Sequence, residues 1–119
     1  MIEARFYVNK GQLCMKVEGH AHAAPKGEDL ICAGTSTLAA ALAETVTVLH
    51  RQGLLEKEPD IHMKAGFVRI KVKPTEEHRG ELLLVFSTIA AGMSSLCRSY
   101  PEYIRVKLFE DSEILEFSK

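Results

Sequence analysis

Ile2, Ala4, Phe6 and Val8 alternate with Glu3, Arg5 and Tyr7, the period of a half-buried β-strand. Asn9-Lys10-Gly11 supplies a tight turn. Leu13, Met15 and Val17 then alternate with Gln12, Lys16 and Glu18. The two runs predict a β-hairpin whose second strand ends at Gly19-His20. Residues 21 to 29, Ala-His-Ala-Ala-Pro-Lys-Gly-Glu-Asp, break the alternation and predict a loop, a flap with little to bury. From about Leu30 the spacing turns helical. Leu38, Leu42, Val46 and Leu49 form one stripe, with Ala39 and Ala43 beside it. Gly53 stops this helix after His50-Arg51, whose positive character suits a helix end. Asp29 is placed to cap its start, and Thr35 or Ser36 would cap a later one.

A second hairpin is predicted from a short strand around Ile61–Met63, a turn at Ala65-Gly66, and Val68, Ile70 and Val72 alternating with Arg69, Lys71 and Lys73. Pro74-Thr75-Glu76-Glu77 opens a second helix, with Thr75 as cap and acids in the first turn. Leu82, Phe86, Ile89, Met93 and Leu96 give it an apolar stripe that Tyr100-Pro101 ends. Tyr103, Ile104, Val106 and Leu108 predict a last strand, and residues 109 to 119 an edge strand or tail. The order β-β-α-β-β-α-β, with two one-faced helices, predicts an α+β two-layer sandwich: a mixed β-sheet with both helices on one face.

The length of 119 residues fits one domain spanning 1–119. With 46% apolar and 26% charged residues, the composition is that of an ordinary globular chain. A net charge of −1 without like-charged blocks argues against direct nucleic-acid binding. The N-terminus lacks the layout of a signal peptide, and no unbroken apolar run approaches the roughly 20 residues that span a bilayer. The expectation is a cytoplasmic protein without a membrane partner. Cys14, Cys32 and Cys97 are odd in number and scattered, which fits reduced thiols better than disulfides or zinc hooks.

One pair of residues carries candidate chemistry. His20 ends a strand and Cys32 follows twelve positions later, near a helix start, so both fall on the same rim of the sheet. A thiol attacks a carbonyl as thiolate, which a helix N-terminus and a neighbouring imidazolium both favour. Ala33 and Gly34 are small enough to admit a peptide backbone, and amides near Cys32 and Gly34 are candidate oxyanion donors. Asp29 would orient the imidazole or cap the helix. This spacing by itself also fits a small buried cysteine in a helix and a polar residue satisfied at a strand end.

The combination Gly19-His20-Ala21 and Asp29-x-Ile31-Cys32-Ala33-Gly34-x-Ser36 resembles the signature of the ribosomal-processing cysteine protease (Prp) family. The similarity runs over the whole chain, including Tyr100-Pro101-Glu102-Tyr103, with Thr35 and Thr37 departing from the expected smaller or more apolar residues. The resemblance implies a Cys–His endopeptidase with Cys32 as nucleophile and His20 as general base and acid. Gly19, Asp29, Ala33, Gly34 and Ser36 take supporting or substrate-binding places. It implies a homodimer, a mobile loop matching residues 21 to 29, and a peptide substrate: the N-terminal extension of a large-subunit ribosomal protein precursor.

Other readings compete. His20, His22, Asp29 and Cys32 could form a zinc site, but the distal ligands lie across a flexible loop; no metal or other cofactor is expected. A non-catalytic ribosome-associated binding protein with an incidental thiol is the alternative function. Cys14 and Cys97 are read as structural, His50, His62 and His78 as surface residues, and Arg69, Lys71 and Lys73 as a solvated basic face. Ile114-Leu115-x-Phe117 is the candidate dimer contact.

Overall fold

The computed structural model describes residues 1–20 and 25–108, and of residues 25–29 the backbone alone. Strands β1 (Ile2–Asn9) and β2 (Gln12–Gly19) form the first hairpin, with Asn9 opposite Gln12. Lys10 and Gly11 make the turn at φ 53° and 78°; two successive left-handed residues match the twist of the flanking strands. Helix α1 covers Pro25–Arg51. Strands β3 (Asp60–Lys64) and β4 (Phe67–Val72) form the second hairpin, a short 3₁₀ turn (Glu76–His78) leads into helix α2 (Arg79–Ser99), and β5 (Ile104–Leu108) closes the described chain.

The sheet order is β3-β4-β2-β1-β5. The β1–β5 pair is parallel and the other three are antiparallel, so the sheet is mixed as expected. Alternation sets its two faces. Ile2, Ala4, Phe6, Leu13, Met15, Val17, Ile70, Val72 and Ile104 share a cluster with Ile31, Leu42 and Val46 of α1 and Leu82, Phe86 and Met93 of α2. Burying each large side chain of this set contributes about 1.5–3 kcal/mol. The helices approach closely where side chains are absent: a Cβ at Gly34 would stand 3.2 Å from Leu96 Cδ1, and one at Gly92 would stand 2.8 Å from Leu38 Cδ2.

The opposite face is held by polar contacts. Arg5 hydrogen-bonds Glu3 at 2.8 Å and Lys107 approaches the same carboxyl at 3.5 Å, holding it below the usual carboxylate range. Arg69 pairs with Asp60 and Lys73 with Glu56, so part of the basic face is neutralised rather than simply solvated. Cys14 lies on this face yet is fully buried, opposite Tyr7 on β1 and Lys71 on β4. Burial pushes both the Cys14 thiol and the Tyr7 phenol up.

Several expectations need correction. Helix α1 starts at Pro25 rather than near Leu30. A proline in the first helical position has its φ preset and no amide left unpaired, while residues 25 to 29 carry no apolar stripe to reveal the extra turn. Asp29 is therefore inside the helix backbone and not its cap, and the flap expected over 21 to 29 is helical from residue 25; residues 21–24 lie outside the described residues, as do 109–119 with the proposed edge strand. Thr75 does precede the 3₁₀ turn, but its hydroxyl meets His78 Nδ1 at 2.8 Å and caps no amide. Of the histidines read as surface residues, His62 is exposed, while His50 and His78 are half-buried. By length and mean hydropathy (1.4 and 1.5), residues 30–51 and 76–99 reach what a membrane span needs, although no run is unbroken. Here their apolar stripes cover the sheet.

Candidate active site

β2 runs out at Gly19, whose φ of 105° and contact with the Met1 carbonyl leave no room for a side chain. The chain turns there and delivers His20 to the rim. The backbone of His20 is held by the Met1 ammonium, which donates to its carbonyl. On the other side, the Gly19 amide donates to the Gly66 carbonyl at 3.0 Å. Among the described residues, this rim carries the cavity that contains both predicted reactive groups.

The cavity has a volume of about 460 Å³ and three walls. α1 supplies Cys32, Thr35, Ser36 and Ala39, an i, i+3, i+4, i+7 series that puts all four on one helix face. The ends of β1 and β2 supply Ile2, Val17, Gly19 and His20. The tip of the β3–β4 hairpin supplies Met63 to Val68. Apart from His20, Lys64 and the small hydroxyl residues, the lining is apolar, as in clefts that hold an apolar side chain by desolvation. Cys32 is half-buried and His20 exposed, so the pair sits where the cavity opens to solvent.

The structure brings His20, Cys32, Gly19 and Ser36 to one cavity and leaves out Ala33 and Gly34. Gly34 is turned to Leu96 of α2, so its small size serves helix packing and not the approach of a substrate. Cys32 lies about two turns inside α1, beyond the first turn where the helix dipole acts on a charge. The amides of Cys32 and Gly34 are likewise helix-interior donors paired within the helix, which removes them as free oxyanion donors. The Thr35 hydroxyl is also occupied, donating to the carbonyls of Ile31 and Cys32, each at 3.1 Å. Ser36 remains as the exposed hydroxyl on the cavity face. The side chains of His22 and Asp29 lie outside the described residues, and among the described residues no three His, Cys, Asp or Glu side chains converge on a metal position.

The hairpin tip is the part that sequence reasoning missed. Ala65-Gly66 is recognisable as a turn, but its meeting with His20 depends on the pairing of Glu18 with Phe67 across β2 and β4. The Phe67 ring on that tip is flanked by the amines of Lys16 and Lys64, 5.9 and 5.8 Å from its centroid.

Fold and cavity together define a two-layer α+β protein with a thiol and an imidazole at one rim cleft, the equipment of a cysteine peptidase. A family described as Cysteine protease Prp matches residues 1–105. The chain belongs to that family of cysteine proteases. Among curated proteins none matches significantly. Of solved structures, the ribosomal processing protease Prp from S. aureus in complex with a substrate peptide is similar with a TM-score of 0.67 at 23% identity, covering 92% of this chain and 100% of that one. The same protease with a covalently linked product peptide gives 0.64 at 23% identity over the same shares. SMU.848 from Streptococcus mutans gives 0.67 at 26% identity, covering 92% of this chain and 94% of its own.

Proposed function

We propose that this protease is an endopeptidase that removes the N-terminal extension of a large-subunit ribosomal protein precursor, with Cys32 as nucleophile and His20 as its proton partner. The observation that carries the reading is that one apolar-walled cavity is lined by both Cys32 and His20. The likeness to a ribosomal processing protease solved with a substrate peptide supports the substrate class.

His20 takes the Cys32 proton and the resulting thiolate attacks the scissile carbonyl, forming the C–S bond. Collapse of the tetrahedral adduct breaks the peptide C–N bond, and His20 returns the proton to the departing amine. Water, deprotonated by His20, then hydrolyses the thioester and frees Cys32. With Cys32 beyond the reach of the helix dipole, the imidazole is the group that must assist ionisation. We assign the developing oxyanion to the Ser36 hydroxyl, a side-chain donor of the kind such sites use. We also read the protein as homodimeric, on the family resemblance, and as cytoplasmic.

The test is incubation with a synthetic peptide spanning the extension junction of the source organism's ribosomal protein, followed by mass spectrometry. Wild type should yield two fragments, and Cys32→Ala should fold and yield none. Cleavage by Cys32→Ala at the wild-type rate would overturn the assignment. A non-catalytic binding protein would instead show iodoacetamide reacting with Cys32 no faster than with Cys97.

A further inference from the structure

The β3–β4 turn lies against the imidazole itself. A Cβ built on Gly66 would stand 2.7 Å from His20 Nε2 and 3.0 Å from Cε1. Ordinary contact begins at 3.4 Å, so any side chain at 66 would force the ring back by about 0.7 Å, the difference of 3.4 and 2.7. The backbone of the same residue accepts the Gly19 amide at 3.0 Å, so strand end and turn are tied one residue before His20. We infer that Gly66 is a positioning residue for His20: its missing side chain leaves the seat in which the imidazole edge rests, and the turn sets the ring's orientation at the cavity. The role rests on the protease reading, because what it positions is that reading's proton partner.

A glycine here has a second explanation, since its φ of 78° is left-handed. Gly11, in the turn of the first hairpin, separates the two. Its φ is also 78°, and a Cβ there would meet nothing within 4 Å. Asparagine tolerates the left-handed region in such turns, so Gly66→Asn and Gly11→Asn impose similar backbone demands, and only the first fills the imidazole seat.

Four measurements decide. In wild type, a nuclear Overhauser contact between the Gly66 Hα protons and the His20 Cε1 proton is expected; its absence overturns the inference without any variant. Gly66→Asn should move the His20 ring resonances and lower kcat/KM for the junction peptide by about 10²-fold, the loss expected when a reacting group is misplaced by about 1 Å. Gly11→Asn should do neither. Unmoved ring resonances and full cleavage in Gly66→Asn overturn the inference. In a His20→Gln background, Gly66→Asn should add no further loss to the rate of Cys32 alkylation by iodoacetamide; an undiminished additional loss marks a merely structural effect and also overturns it. The ring resonances need no substrate. A wild type that leaves the peptide intact while Gly66→Asn still moves the ring therefore overturns the protease reading and leaves the seat standing.

Discussion

Ser36 follows Cys32 by one helical turn, and both line the cavity wall that α1 presents beside His20. With α1 starting at Pro25, Ser36 stands about three turns inside the helix and caps nothing. Its hydroxyl is exposed on the cavity face, whereas that of Thr35 is committed to two helix carbonyls.

Ser36→Ala should therefore fold as wild type does and lower kcat by about 10²-fold, the cost of one lost oxyanion donor. KM should change little. Steady-state kinetics on the junction peptide check this; an unaltered kcat would remove Ser36 from the mechanism.

Gly34 and Gly92 should respond differently to alanine although both sit between the helices. At Gly34 the added methyl meets the end of Leu96 at 3.2 Å, and the gain in helix propensity of about 1 kcal/mol offsets the crowding. At Gly92 it meets Leu38 Cδ2 at 2.8 Å and Cδ1 at 3.1 Å, so the whole isobutyl group must move. Urea titrations should find Gly92→Ala less stable than Gly34→Ala by about 1 kcal/mol. Gly34→Ala should also cleave normally, because Gly34 does not line the cavity. A kcat loss in that variant would restore it to the substrate path.

These contrasts show what the sequence could and could not disclose. The hairpins were legible because alternation and turn residues act locally, and the helix stripes because Leu42, Val46, Leu82, Phe86 and Met93 bury one face. The start of α1 was not, since residues 25 to 29 precede the apolar stripe. His20, Cys32 and Ser36 were each singled out from the sequence, and all three line one cavity. The direction Gly34 faces depends on how the two helices pack, and the meeting of Gly66 with His20 on the β2–β4 register. Neither leaves a local signature.

Cys14 predicts a pH dependence of stability. Burial raises its thiol pKa in the folded state, with the Lys71 charge and the Tyr7 hydrogen bond opposing the rise. As pH climbs past the ordinary thiol value of about 8.5, the unfolded chain releases this proton first, so the unfolded state gains and stability falls until the folded thiol also ionises. Tyr7, raised chiefly by burial and secondly by the neighbouring Cys14 charge, continues the loss above about pH 10. Urea midpoints between about pH 7.5 and 9.5 should fall more steeply for wild type than for Cys14→Ala. Parallel slopes would show that the Cys14 thiol does not contribute.

The exposed wall of the cavity gives the last prediction. Met63 is 45% exposed on the outer strand of the hairpin, so it contributes little to the core while lining the cavity opposite α1. Shortening it should leave melting unchanged and remove part of the apolar wall that a substrate side chain would contact. Because that contact exists in the bound ground state as well as in the transition state, its loss belongs in KM and not in kcat. An apolar contact of this size corresponds to about 10-fold. Met63→Ala should raise KM by that factor for a peptide with a bulky apolar residue beside the scissile bond, and much less when that residue is alanine. An equal rise for both peptides would show that the hairpin tip does not read the substrate side chain.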